Sequence, residues 1–145
     1  MGPSEDTRVE ILSRPECLDL LGQASLGRIG VSIDALPVIL PVHFSLRGET
    51  VLFPIDPGTK LEAATIGNVI AFQTDDYEPL GDTGWSVLLQ GIASAVTAEQ
   101  VQIHSAPIGL WPGGETDRRL VQVQAIRLGG RRFRGLGGAG GARPL

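Results

Sequence analysis

The alternation of apolar and polar residues predicts a chain built mainly from short β-strands. Between Leu26 and Ile33, apolar side chains recur at every second position from Ile29 onward, as in a strand with one buried face. Five later segments also read as strands, with turn residues between them: Val38–Leu46, Val51–Ile55, Asn68–Thr74, Gly84–Thr97 and Arg119–Leu128. Consecutive strands joined by short connections pair in antiparallel fashion, because a parallel pair needs a longer crossover. We therefore predict a mainly β fold, a six-stranded antiparallel β-barrel with short helices.

Capping residues mark short helices between these strands. Ser13–Glu16 has the spacing of a capping box, and Gly22 ends the helix that it opens. Thr59–Glu62 repeats this spacing and opens a second helix of about two turns. A third helix is predicted over Ala98–His104. In the long fifth strand, Gly91 predicts a bulge or a barrel corner.

Length and composition indicate one domain without crosslinks. A chain of 145 residues with 42% hydrophobic residues can bury a core of its own. We place the domain at residues 8–134 and predict that the glycine-rich residues 135–145 are a disordered tail. The single cysteine agrees with a reducing compartment, and no apolar run is long enough to cross a bilayer. The sequence thus predicts a cytoplasmic protein without a membrane partner.

Charge is distributed unevenly along the chain. Residues 1–117 hold all 16 acids and only five bases, whereas residues 118–145 hold seven arginines and no acid. The sequence pI of about 5.1 argues against nucleic acid as a partner. We interpret the basic end as a solvated segment, with binding of an anionic ligand or an acidic neighbouring chain as the alternative. Lys60 is the only lysine.

Common catalytic motifs are missing from the sequence. It has no Walker loop, no glycine-rich dinucleotide fingerprint and no nucleophile elbow. With two histidines and one cysteine, a zinc site is not expected either. We assign no catalytic side chain and no metal ligand, so an enzymatic activity would depend on a bound cofactor.

One segment has the outline of a phosphate-binding site. From Phe53 to Ala64, a tight turn leads into a helix N-terminus, where a hydroxyl group and the Lys60 ammonium group come together. The alternative is an ordinary capping box with a solvated lysine. Spacing alone slightly favours that alternative.

Six motifs in order make the chain resemble a known family. They are Gly27–Val31, Leu36–Phe44, Pro57–Leu61, Thr83–Val87 with Gly91, Trp111–Gly113 and Gly130–Arg132. Together they resemble the pyridoxamine 5′-phosphate oxidase-like family, in its actinobacterial branch, from about Ser13 to Arg132. The resemblance implies a split β-barrel of the FMN-binding type. It also implies a homodimer with two flavin sites at the interface.

The same resemblance implies which residues bind the cofactor, and it reverses the ranking for Lys60. Thr59 and Lys60 would hold the phosphate. Two strand segments would lie along the isoalloxazine ring, and further residues complete the site. The predicted ring contacts are Val42, His43, Phe44, Phe53, Pro54 and Ile55. Trp85 and Ser86 would reach the flavin from the partner chain. Trp111 is also assigned to the cofactor site. For Trp85 and Trp111, the alternative is a role as buried or interface anchors.

The sequence therefore predicts an FMN-dependent oxidoreductase that acts on an unidentified small molecule. Oxidation of pyridoxamine phosphate itself is not favoured, because no cluster of basic residues for a second phosphorylated ligand is evident. One alternative on the same fold is a reductase that uses the deazaflavin coenzyme F-420. Another is a non-catalytic dimeric module that carries flavin or haem, with His43 as a possible haem ligand.

Overall fold

A computed structural model describes residues 8–97, Gln100 and residues 118–135. These residues form nine strands and two helices. One of the nine strands has only three residues. The strands are β1 (Arg8–Ile11), β2 (Leu26–Ile33), β3 (Leu36–His43), β4 (Ser45–Arg47), β5 (Thr50–Ile55), β6 (Val69–Glu78), β7 (Thr83–Val96), β8 (Arg119–Gln124) and β9 (Arg127–Arg134); the helices are α1 (Arg14–Gln23) and α2 (Lys60–Thr65).

The strands form one strongly curled antiparallel sheet. Their order is β3-β2-β6-β7-β8-β5-β4, and β9 pairs with β7 on one side and with β1 on the other. Strand β7 connects the two halves, since its first part pairs with β9 and its last four residues pair with β8. This arrangement confirms the predicted fold class, a mainly β, antiparallel split barrel.

Gly91 lies where β7 passes from β9 to β8. A Cβ atom at this position would lie 2.1 Å from the carbonyl oxygen of Gln124, closer than any side chain tolerates. Only glycine allows the backbone of β8 to approach β7 at this point. The barrel corner predicted from this residue is therefore present.

The core lies on the concave side of the sheet. Phe53, Phe72 and Leu89 are fully buried there, and α1 closes one end with Cys17 and Leu21. The helix begins as predicted, because the Ser13 hydroxyl accepts the Glu16 N–H and the Glu16 carboxylate accepts the Ser13 N–H. Burial raises the pKa of the Cys17 thiol, as expected for a packing residue.

Nine strands are present in the described residues instead of the six predicted, because two long segments are broken and because β1 was not predicted. Val38–Leu46 divides at Phe44, whose N–H donates to the Ser25 carbonyl at 3.0 Å, so that β3 pairs with β2 while β4 pairs with β5. The predicted strand Arg119–Leu128 divides into β8 and β9. At the break, the Ile126 N–H donates to the Gln90 carbonyl at 2.8 Å.

The basic end is also more ordered than the interpretation as a solvated segment implied. Residues 127–134 form β9, between β7 and β1. Gly130 is required in this strand, because a Cβ atom there would lie 2.9 Å from both the Cys17 Sγ and the Ser86 carbonyl oxygen. The side chains of Arg131, Arg132 and Arg134 are nevertheless exposed.

Several predictions fall on residues that the structure does not describe. They concern most of the helix at Ala98–His104, the loop around Trp111 and the tail beyond Gly135. The boundaries of the domain at residues 8 and 134 remain predictions. Within the described ranges, neither helix is long and apolar enough to cross a membrane.

Candidate cofactor site

The candidate site is an opening in the sheet between β3 and β5. The ladder between β4 and β5 ends at the pair Ser45 and Leu52. Beyond this pair β3 turns away and joins β2, with His43 opposite Leu26. Strands β3 and β5 still approach each other, with Cα atoms within 8 Å. The two predicted ring-contact segments, residues 42–44 and 53–55, therefore lie on opposite sides of one opening.

Four of the six side chains in these segments face the core. Phe44, Phe53 and Ile55 are at most 4% exposed, and Val42 packs against the same core. The Phe44 ring meets Phe72 edge to face, with 4.6 Å between ring centroids. The backbone at the opening is therefore held rigidly from the inside.

The side chains of the other two residues, His43 and Pro54, lie on the opposite face of their strands. His43 is exposed, whereas Pro54, on the face of β5 opposite to Phe53 and Ile55, is buried, so its side chain is not available at the surface of a single chain. In the described chain, residues 53–55 pair with β8 on one side and have no strand partner on the other. Proline is tolerated at such a half-open stretch because it lacks the N–H that a central strand donates.

Thr59 has a structural role at the start of α2. Its hydroxyl accepts the Glu62 N–H at 3.1 Å and donates its proton to the Asp56 carbonyl at 2.9 Å. The Glu62 carboxylate accepts the Gly58 N–H at 2.9 Å, one residue before the position that a standard capping box uses. Because α2 has only six residues, an anion at this loop would depend mainly on the charge of nearby cations.

Lys60 is held by one carboxylate at the surface. Its Nζ lies 3.1 Å from Oδ2 of Asp34, and the two side chains are 79% and 73% exposed. Asp34 belongs to the turn between β2 and β3, so this contact lies at the opposite end of β3 from His43. An ion pair this exposed contributes little to stability, so the ammonium group can exchange partners readily.

Two arginines that the sequence did not connect with this loop also contact it. Arg118 Nε donates to Oδ1 of Asp56 at 3.1 Å. Arg119 Nε lies 3.0 Å from Oε2 of Glu62 without hydrogen-bond alignment, a mainly Coulombic contact. The sequence signal was the basic start of the strand after residue 117. Its alignment with β5, which puts Arg119 opposite Ile55, could not be read from the sequence.

Trp85 and Ser86 lie on a different part of the sheet. Trp85 is half-buried against the core, and the Ser86 hydroxyl accepts a hydrogen bond from Gln73 Nε2 at 3.2 Å. In the order β3-β2-β6-β7 they are three strands from His43, about 14 Å across the sheet. A single chain therefore does not bring them to the opening, and Trp111 lies outside the described residues.

Ser86 belongs to a broad outward face formed by β3, β2, β6, β7, β9 and β1. At its centre, Gln73 bridges Ser86 and Asp75, and Arg28 contacts both Gln73 and Asp75. Apolar side chains surround this polar centre, all at least 43% exposed. They are Ile11, Leu26, Ile39, Val69, Leu88 and Ile92. We call this surface the outward face.

Titratable groups with shifted pKa values lie away from the opening. Hydrogen bonds from the Ser13 backbone and hydroxyl lower the pKa of Glu16, and the hydrogen bond to Asp82 raises the pKa of Tyr77. Both are local contacts of a helix start and a hairpin. Among the residues described, no group of three or more His, Cys, Asp or Glu side chains is placed to hold a metal ion.

Comparison with known proteins decides the family. The family model described as pyridoxamine 5′-phosphate oxidase matches residues 13–132. The chain belongs to this family. The matched region contains the opening, the loop before α2 and both arginines that contact that loop.

Two mycobacterial proteins are similar to most of the chain. An uncharacterized protein of Mycobacterium tuberculosis is 32% identical over 115 residues, which are 75% of this chain and 76% of that protein. The structure of the FAD binding protein from Mycobacterium smegmatis is 36% identical, with a TM-score of 0.69, covering 88% of this chain and 100% of that one. The resemblance to the actinobacterial branch is thus confirmed.

A more distant structure supports the fold alone. The FAD-binding protein from Mesorhizobium loti is 20% identical, with a TM-score of 0.72, covering 88% of this chain and 98% of that chain. The curled sheet is therefore shared at low sequence identity.

Proposed function

We propose that this protein binds a flavin nucleotide at the opening between β3 and β5 and works as a flavin-dependent oxidoreductase. The observation that carries the proposal is this opening itself, in a chain of this family. Its inner side is packed by Phe44 and Phe53, and His43 is exposed on its outer side. A relative with 36% identity, aligned over its whole length, is an FAD binding protein.

FMN is the flavin that we propose first, as the sequence predicted, and FAD is the second candidate because of that relative. Both carry the same isoalloxazine ring and a phosphate at the same distance from it. The residues proposed below therefore apply to either flavin. The deazaflavin coenzyme F-420 remains an alternative with an anionic tail.

The ring would lie on the outer side of the opening. There it would contact the side chain of His43 and the backbone of both strands, and the buried Pro54 would support β5 from within. Val42, Phe44, Phe53 and Ile55 would act from behind, since their packing against the core keeps the two strand ends in place. Such rigid support is what a cofactor site needs for orientation.

The phosphate would bind at the loop before α2. Lys60 would leave Asp34 and contact the phosphate, because a charge-assisted hydrogen bond to a phosphate is stronger than an exposed ion pair. Thr59 would contribute only if its hydroxyl proton turned from the Asp56 carbonyl to the phosphate. Lys60 is thus the principal phosphate ligand in this proposal.

A second copy of the chain would complete the site. The outward face exposes several large apolar side chains together, which monomeric proteins seldom do. Its centre holds both hydrogen-bond donors and hydrogen-bond acceptors, as a self-complementary interface requires. In the proposed homodimer, Trp85 and Ser86 of one chain approach the flavin of the other, and Trp111 remains a predicted site residue.

In this proposal the chain binds and orients the cofactor and excludes water, and a bound flavin would supply the hydride chemistry. No side chain is proposed as an acid or base. The alternative without turnover is a dimeric carrier of flavin or haem, with the exposed His43 as the candidate haem ligand. A cytoplasmic location belongs to the proposal, because Cys17 is free.

The proposal is tested by the visible spectrum of the purified protein and by titration of the colourless protein with FMN and FAD. Flavin, deazaflavin and haem have different spectra, so the spectrum separates the alternatives. We expect a flavin spectrum, or saturable flavin binding, and reduction of the bound flavin by reduced nicotinamide or deazaflavin donors. A protein that neither contains nor binds flavin would contradict the proposal, and binding without turnover would favour the carrier.

A further inference from the structure

Arg118 has a less exposed side chain than Arg119 or Lys60, the other two cations near the loop before α2. Its side chain is 32% exposed, compared with 79% for Lys60. It was assigned from the sequence only to a basic end. In the structure it contacts Asp56, which is 62 residues away along the chain.

The position of Arg118 relates it to the opening. Strands β5 and β8 pair Pro54 with Leu120 and Ile55 with Arg119. The contact between Asp56 and Arg118 continues this register by one step. Arg118 thus lies directly beyond the strand segment on which the flavin ring is proposed to rest.

The hydrogen bonding of Arg118 leaves most of its donors unused. A guanidinium group carries five N–H donors, and only the one on Nε is engaged, by Asp56. Within the described residues, the four N–H groups on the terminal nitrogens have no partner. The contact of Asp56 with Nε leaves the two terminal nitrogens, at the end of the side chain, available as a fork.

Such a fork matches one class of ligand. Two parallel N–H donors bind a phosphate or a carboxylate in a bidentate manner, with better geometry than an ammonium group provides. We propose that Arg118 binds an oxyanion at the candidate site and that Asp56 orients it. The oxyanion is either the phosphate of the flavin nucleotide or a phosphate or carboxylate group of the reactant.

This inference rests on the proposed function, and it adds a residue to the site. Lys60 begins α2 and pairs with Asp34 of the β2–β3 turn, whereas Arg118 pairs with Asp56 of the loop before α2. An entering oxyanion would exchange partners with these acids.

The test compares Arg118→Gln with Arg119→Gln. Both variants remove one arginine from adjacent positions, but Arg119 contacts Glu62 and is not proposed to bind the ligand. Each protein is titrated with FMN and with riboflavin, which has the same ring and no phosphate. The riboflavin-loaded protein is then titrated with inorganic phosphate and with acetate while the flavin spectrum is recorded.

If Arg118 binds the cofactor, Arg118→Gln weakens FMN binding about tenfold and leaves riboflavin binding unchanged. If it binds the reactant, FMN binding is unchanged, but phosphate or acetate alters the flavin spectrum of the wild-type protein and not that of the variant. Asp56→Asn, which leaves Arg118 charged but less firmly oriented, should show a smaller effect in the same direction. Arg118→Lys serves if the glutamine variant does not fold, and it should retain charge but lose part of the affinity.

Two outcomes would overturn the assignment. One is that Arg118→Gln changes neither FMN binding nor the spectral response to phosphate and acetate. The other is that Arg119→Gln causes the same loss, which would indicate a general effect of charge. A wild-type protein that binds neither FMN nor riboflavin would instead contradict the proposed function, and this inference with it.

Discussion

Ser45 and Leu52 are the last directly opposed pair between β4 and β5, and the sheet opens at the next residue of each strand. The cause is local. The N–H of Phe44 donates to the Ser25 carbonyl on the β2 side, so the chain has already left β5. The buried rings of Phe44 and Phe53 then hold the two strand ends from inside. The opening therefore follows from the pairing of the strands and from the packing of the core behind it.

Lys60→Ala should weaken flavin nucleotide binding without unfolding the protein. The variant removes a charge-assisted contact to the phosphate, worth on the order of tenfold in affinity. It removes only an exposed ion pair from the free protein. Fluorescence titration with FMN measures the affinity, and a thermal melt checks the fold.

Arg14→Ala is the matched control for Lys60→Ala. Arg14 is also a surface cation paired with one acid, Glu49, but it lies at the start of α1. We expect unchanged FMN affinity for this control and unchanged riboflavin affinity for both variants. Equal FMN affinity in Lys60→Ala and the wild-type protein would contradict the phosphate assignment.

Gly91→Ala should destabilise the protein strongly. The added Cβ would lie 2.1 Å from the Gln124 carbonyl oxygen, which belongs to the backbone and cannot rotate away. The strands at the barrel corner would have to separate, at a cost of about 1–3 kcal/mol or more. Urea unfolding measures the change in the free energy of unfolding.

Gly129→Ala is the control for this experiment. Gly129 is also in a strand, and a Cβ there would meet no atom within 4 Å. We expect the free energy of unfolding of this variant to lie within about 0.5 kcal/mol of the wild-type value. A similar loss in both variants would show that the close approach at Gly91 is not the cause.

Ala35→Gly should stabilise the turn between β2 and β3. Asp34 and Ala35 have φ angles of 52° and 66°, a left-handed conformation that costs an L-residue about 1–2 kcal/mol. Glycine removes this cost at Ala35 and adds entropy to the unfolded chain, so we expect a net gain of about 0.5–1 kcal/mol. The gain is measured by urea unfolding, and Ala71→Gly, in β6, should have the opposite sign.

Much of the fold could be predicted, because a strand with one buried face shows alternating apolar and polar residues in the sequence. The break at Phe44 could not, since the apolar alternation continues through Phe44 to Leu46 while the backbone changes partners. A change of pairing partner is a tertiary event, and the spacing of side chains within one segment does not record it. The same limit applies to the division between β8 and β9.

The residues of the cofactor site remain predictions. The two segments beside the opening were chosen through family motifs, and the single lysine was singled out by composition. Arg118 was missed, because its contact with Asp56 depends on how β5 and β8 align, two strands far apart in the sequence. Such long-range register is not encoded in any local pattern.

Leu88→Glu should separate the proposed homodimer and thereby weaken flavin binding. Leu88 is 43% exposed on the outward face, next to the centre formed by Gln73, so a carboxylate there would be buried without a partner in a dimer. Leu80→Glu is the control, because Leu80 is 97% exposed in the β6–β7 loop. Sedimentation and FMN titration of the same samples should show a monomer with reduced affinity for Leu88→Glu and a dimer with normal affinity for Leu80→Glu. A monomeric Leu88→Glu protein with normal FMN affinity would show that one chain suffices for binding, and the contribution of Trp85 and Ser86 from a partner would then be wrong.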